Sequence, residues 1–229
     1  MANHLVVAID GPAGAGKSTV AKLVAARLGF AYIDTGAMYR AVALVAIRAG
    51  ALGDKAAIEK IAADINISFR PEGEINRVFI EDGEITGDIR TAQVSAQASF
   101  VSSLPGVRAA MLVKQRALGM AGSVVMDGRD VGTCIFPAAQ VKVFLTADSL
   151  ERARRRYVEL VAGGQTAELK ELQKEMDARD KADSERAIAP LKKAGDAVEI
   201  DSSRLSIGQT VDLIVALAKA KGKTGESVL

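Results

Sequence analysis

Apolar and polar positions follow two periods along the chain. Short apolar runs at residues 5–9, 31–33, 123–126, 141–145 and 198–200 read as strands, the first of them as a buried one. Helical spacing lies between them. In residues 17–28, Val20, Leu23, Val24 and Leu28 share one face; residues 38–49 are also helical. In residues 207–220, Ile207, Val211, Ile214, Val215 and Ala218 form a stripe. Strands alternating with helices predict an α/β chain with a five-stranded parallel sheet covered on both faces.

Two segments break this rhythm. Residues 65–86 alternate with period two: INISF, then Pro71-Glu72-Gly73, then INRVFIE, then Asp82-Gly83 and EIT. Asp-Gly between alternating runs signals a hairpin, so a small antiparallel insert is expected. Residues 151–186 are long, highly charged and interrupted by Gly163-Gly164, which predicts two exposed helices joined by a flexible turn. Such a pair reads either as a solvated helical hairpin or as a lid. The tail after Lys221 is expected to fray.

Composition changes this picture little. Of 229 residues, 49% are hydrophobic and 25% charged, and a net charge of +2 gives no general pull toward nucleic acid or membrane. Cys134 is the one cysteine, so no intrachain disulfide is possible, and with His4 it invites no function. The run at residues 5–9 is too short for a signal peptide or a membrane span. A soluble cytoplasmic protein is expected. With no tryptophan and 4% aromatics, base stacking on aromatic platforms has little support.

The candidate chemistry begins at residues 11–18, GPAGAGKS, which satisfies G-x-x-x-x-G-K-[ST] between an apolar strand and an amphipathic helix. Gly11, Gly14 and Gly16 let the backbone turn its N–H groups toward one anion, and Pro12, Ala13 and Ala15 complete the loop. The helix that follows presents its positive end to the same anion. Lys17 supplies a point charge for the β- and γ-phosphates of a triphosphate, and the Ser18 hydroxyl suits Mg²⁺; Thr19 offers a second hydroxyl. A GTPase switch would carry N-K-x-D and D-x-x-G, and the sequence contains neither. Two further polar segments end strands: DTGAMYR at residues 34–40 and DGRD at 127–130. In open parallel sheets ligands bind beyond the carboxyl ends of the strands, so both belong to the edge that carries the phosphate loop. Asp127 is a candidate acid for Mg²⁺-bound water.

GPAGAGKST, DTGAMYR, DGRDVGT and the later RDxxDxxR-A-x-A-P-L pattern together resemble bacterial-type cytidylate kinases, from about residue 5 to about residue 215. The resemblance implies a three-layer P-loop NTPase fold. Residues 1–36, 104–148 and 187–229 would form the core, 37–103 a monophosphate-binding region holding the β insert, and 149–186 a helical lid. It implies reversible transfer from ATP to CMP or dCMP with Mg²⁺, by a monomer without nucleic-acid or membrane partners. Carried over by motif, Arg40, Arg129 and Arg179 hold the acceptor phosphate or the group in flight, as planar guanidinium forks can. Asp130, Arg108, Arg186 and Thr35 surround the base. A carboxylate accepts from cytosine N4, and arginine donates to N3 or O2. Asp183 and Ser99 are the candidates for the sugar hydroxyls. In ERARRRY, residues 151–157, one or two arginines meet ATP, with Arg155 the candidate; helical spacing puts 152 and 156 on one face and 154 and 155 elsewhere. Thr35 stands where the family often has serine, and Ser18-Thr19 where many nucleoside monophosphate kinases have Gly-Thr. UMP or adenylate kinases are the neighbouring readings, and a non-catalytic nucleotide or nucleic-acid binder is a more distant one.

Overall fold

The computed structural model describes residues 4–72 and 75–224. Gly73, in the first expected turn of the β insert, and the last five residues of the expected tail lie outside the described residues. In chain order the elements are β1 (Val6–Asp10), α1 (Lys17–Leu28), β2 (Ala31–Asp34), α2 (Thr35–Arg48), α3 (Lys55–Asp64), β3 (Ile67–Glu72), β4 (Ile75–Ile80), β5 (Gly83–Glu84), α4 (Ala92–Ser103), α5 (Pro105–Met120), β6 (Val124–Gly128), β7 (Val141–Thr146), α6 (Ser149–Ala162), α7 (Leu169–Glu185), β8 (Val198–Asp201) and α8 (Ile207–Thr224). A 3₁₀ turn, Asp88–Arg90, precedes α4, and a π turn, Val131–Ile135, follows β6.

The α/β expectation holds: a five-stranded sheet runs in the order β2-β6-β1-β7-β8, and a separate three-stranded sheet in the order β3-β4-β5. β1 is central, parallel to β6 with Val7 opposite Val125 and parallel to β7 with Val7 opposite Val141. β7 is parallel to β8. All five residues of β1 and of β6 are buried, as expected for strands covered on both faces. Val7, Ala8 and Ile9 are fully inaccessible; each buried Val or Ile contributes on the order of 1.5–3 kcal/mol.

The chain divides into two compact units, one of Met1–Ala31 with Gly122–Leu229, the other Tyr32–Ala121. The first holds the phosphate loop, the DGRD segment and α6–α8. The second holds α2–α5 and the antiparallel sheet, in which Ile67 faces Ile80 and Arg70 faces Arg77 across β3 and β4. Its short β5 pairs with β4 around the expected Asp82-Gly83 turn. Helices α3, α4 and α5 were not read from the sequence. Each has a local start signal: Asp54 accepts from Ala57 N (3.1 Å), Thr91 accepts from Val94 N (3.3 Å), and Pro105 opens α5. α2 begins at Thr35, three residues earlier than its apolar spacing predicts, because the Asp34 carboxylate accepts from Ala37 N at 2.8 Å and caps the helix.

Candidate active site

Sheet order decides which loops are neighbours in the first unit. β1 lies between β6 and β7, with Asp10 opposite both Gly128 and Phe144, so the phosphate loop and the DGRD segment leave adjacent strand ends. An aspartate ends β1, and another is the last residue but one of β6. Asp10 is 5% exposed and Asp127 3% exposed, and a buried carboxylate needs partners. Asp10 has two: its Oδ1 accepts from Val131 N (2.8 Å) and its Oδ2 from Gly132 N (2.7 Å). One side chain thereby fixes the start of the π turn that follows Asp130. Burial pushes the Asp10 carboxyl up to about 6 from 3.8, against the pull of these two N–H donors; Asp130 adds to the rise and Lys17 opposes it.

The phosphate loop is built as its spacing demands. At Gly11, φ +150, a Cβ would lie 2.0 Å from the Leu145 carbonyl oxygen, so no other residue fits. At Gly14, φ +70, a Cβ would lie 2.5 Å from Met176 Cε and 2.9 Å from the Arg152 carbonyl oxygen, so α6 and α7 pack directly on the loop. Lys17 opens α1, buried, and its Nζ donates to Pro12 O at 2.6 Å. Burial and then the Arg129 guanidinium push the Lys17 ammonium down to about 7, while Asp127, Asp180 and Asp10 hold it up. Ser18 Oγ donates to Asp127 Oδ2 at 2.8 Å, which brings together the two residues expected at Mg²⁺. Thr19 is exposed.

Beyond the loop, four expected substrate residues form one chain of alternating charge. Arg129 Nε donates to Asp183 Oδ2 (3.0 Å), Asp183 Oδ1 lies 3.5 Å from an Arg186 terminal nitrogen, and another Arg186 nitrogen donates to Asp130 Oδ1 (3.3 Å). Arg186 Nε also donates to Ala189 O at 2.6 Å; Ala189 adopts φ +50, rare for a residue with a Cβ. Arg179 is half-buried on α7. Of the arginines of α6, Arg152 and the expected candidate Arg155 make the inward bonds. Arg152 donates to Ala13 O (2.8 Å) and Ala147 O (3.1 Å). Arg155 donates to Ser202 Oγ (3.0 Å) and Ser202 O (2.7 Å), and lies 3.9 Å from the position of a Cβ on Gly16. Arg156 pairs with Glu159 at the surface, and Arg154 is exposed. Positions i+3 and i+4 are both neighbours on a helix, and the buried stripe of α6 runs through i+3.

The second unit holds Thr35, Arg40, Ser99 and Arg108. Thr35 is buried at the start of α2, and Arg40 donates to Asp34 Oδ2 at 2.9 Å. Arg108 is 6% exposed, donates to Ser102 O (3.2 Å) and stacks over the Tyr39 ring at 5.5 Å. Ser99 lies half-buried on α4, where its carbonyl accepts from Ser102 Oγ (2.9 Å). Sequence reasoning passed over Asp10, Asp34, Asp180 and Ser202. For Asp10 there was a signal: a lone acid ending an otherwise apolar strand, directly before Gly11.

The sequence pattern of cytidylate kinases matches residues 7–220. The chain belongs to the cytidylate kinase family. A cytidylate kinase of Geobacillus sp. (strain WCH70) is 47% identical over 96% of this chain and 99% of its own length. One of Limosilactobacillus reuteri (strain DSM 20016) is 48% identical over 96% and 97%. Among solved structures, an uncharacterized protein from Eubacterium ventriosum ATCC 27560 aligns with a TM-score of 0.53 at 13% identity, covering 95% of this chain and 99% of that one, a likeness of fold. Among the described residues no helix is long and apolar enough to cross a membrane.

Proposed function

We propose that this chain transfers the terminal phosphoryl group of ATP to CMP or dCMP, reversibly and with Mg²⁺. The reading rests on membership of the cytidylate kinase family along nearly the whole chain. The charge chain Arg129–Asp183–Arg186–Asp130 supports it, because it offers an acid and two guanidinium forks in one place. Asp130 accepts from cytosine N4 while Arg186 and Arg108 donate to N3 and O2; uracil presents an acceptor in place of N4 and meets the carboxylate unfavourably. Thr35 lines the same base site. Asp183 and Ser99 serve the sugar hydroxyls. Arg40, Arg129 and Arg179 hold the acceptor phosphate and the transferring group. Residues 37–103 hold the monophosphate, 149–186 act as the lid, and the remainder is the core.

On the donor side, the loop from Gly11 to Thr19, with Lys17 and Arg155, holds ATP. Ser18 and Asp127 fit Mg²⁺, which takes hard oxygen ligands, commonly one or two from protein with phosphates and water completing its shell. The metal would neutralise phosphate charge. The acceptor phosphate is already a dianion near neutral pH, so no general base is needed. Lys17 and the arginines align the two phosphates and neutralise the charge that develops. The protein acts as a soluble cytoplasmic monomer on small molecules, without nucleic-acid or membrane partners.

A coupled assay with purified protein, Mg-ATP and a panel of nucleoside monophosphates tests this reading. CMP and dCMP are expected to turn over fastest. Faster turnover of AMP, GMP or UMP than of CMP would overturn the assignment.

A further inference from the structure

Ala13 has both of its backbone groups taken by side chains from the helices packed on the phosphate loop. Its N–H donates to Asp180 Oδ1 at 2.8 Å, and its carbonyl accepts from Arg152 at 2.8 Å. Asp180 and Arg152 are themselves paired, and both side chains are largely buried. Arg152 is held further by Ala147 O and, at 3.4 Å, by Asp177 Oδ1, while Asp177 accepts from Ser149 Oγ at 2.8 Å. Met176, one turn before Asp180 on α7, lies against Gly14. Positions 176, 180 and 183 fall on one helical face, so the turn of α7 that holds the loop is also the turn that presents Asp183 to Arg129.

The bond from Asp180 is unusual for its setting. Backbone N–H groups of a phosphate loop are the donors such a loop turns toward anions. Ala13 spends its N–H on a carboxylate of its own chain, and Arg152 balances that charge. The loop's third residue is thus clamped from both sides by α6 and α7.

We propose that Asp180 is a positioning residue for the phosphoryl donor: through Ala13, and with Arg152 as its counter-ion, it fixes the shape of the phosphate loop. Asp180 acts on the nucleotide through the backbone of the loop. The proposal rests on the reading of this loop as the ATP site, and it concerns the donor side, not the choice of acceptor.

The test pairs two variants with two readouts. ADP binding by calorimetry requires no acceptor, so it stays informative whichever monophosphate the enzyme uses. Asp180→Ala removes the acceptor and the charge and is expected to weaken ADP binding about tenfold, the scale of one buried charge-assisted hydrogen bond. Asp180→Asn keeps an oxygen for Ala13 N–H and should recover part of that loss. In the coupled assay the KM for ATP should rise in step with the loss of ADP affinity, while the KM for CMP stays within about twofold. A lowered melting temperature with ADP affinity unchanged in both variants would make Asp180 a purely structural anchor and overturn the proposal. Equal rises in both KM values would overturn it too. Failure of the wild-type protein to bind ADP would instead refute the reading of the loop itself.

Discussion

The two units use the same ionisable residues in opposite ways. On the open antiparallel sheet of the second unit, Arg70 pairs with Asp82 at 3.1 Å and Arg77 with Glu84 at 2.6 Å, with Asp82 almost fully in water. At the strand ends of the first unit, Asp10, Asp127, Asp130 and Lys17 are all less than 9% exposed. Exposed pairs are screened and contribute little, a median of about 0–1 kcal/mol. Buried charges are costly unless every one is paired, and removing one partner strands the other. Distance alone does not separate the two sets, since both contain bonds under 3.2 Å. Burial does, and it predicts where substitution matters.

The sharpest contrast comes from Lys17→Ala. It should lower kcat/KM for ATP by roughly 10³-fold, as loss of a buried donor to developing charge does, while the folded state persists by circular dichroism. Activity near wild type would place Lys17 with the exposed charges. Next in size, Asp130→Ala should raise the KM for CMP by about 10- to 100-fold and leave the KM for ATP within about twofold, because it removes a buried acceptor and one of the two carboxylates that hold Arg186. Equal effects on both substrates would take Asp130 out of the base pocket.

Asp10 gives a pH test. Its folded pKa, about 6, lies above its unfolded value of 3.8. The folded state therefore binds the proton more tightly. The stability that Asp10 contributes is complete below about pH 4 and is lost as pH rises through about 6, on the order of 3 kcal/mol in all. Asp10→Asn cannot titrate. The stability difference between wild type and Asp10→Asn, from urea melts, should shift against wild type between pH 4 and pH 7. A difference constant with pH would mean that the two N–H donors balance burial, and a shift in favour of wild type that they outweigh it. Smallest of all, Arg70→Ala should change stability by no more than about 0.5 kcal/mol despite its ion pair and its place over the Phe79 ring at 4.1 Å. A loss above 1 kcal/mol would break the comparison.

The sequence makes some of this legible and hides the rest for physical reasons. Periodicity exposes β1, β6 and β7, since strands buried along most of their length are mostly apolar; β8 is largely exposed and shows only through Val198 and Ile200. Asp82-Gly83 exposes the hairpin, since few residues tolerate that turn. α4 stays hidden because Ser95, Ser99 and Ser102 blur its apolar face. Ser18 and Asp127 could be paired on paper because each has a motif beside it. Asp180 could not, because its partner is a backbone N–H 167 positions away that carries no side-chain signature. The same holds for Asp10 and its two donors, 121 and 122 positions on. Side-chain motifs report chemistry, whereas bonds to distant backbone appear only once the sheet has set its order.

That order also sets a timetable. β1 is the middle strand, and both of its neighbours are encoded far downstream, after Val124 and Val141. During synthesis the five residues of β1, buried in the finished fold, wait with both edges open until β6 and β7 have been made. Pairings so distant in sequence close slowly, and an open apolar strand is a target for misassembly in the meantime. The cradle therefore acquires its walls only after long stretches of chain beyond its own residues have been made.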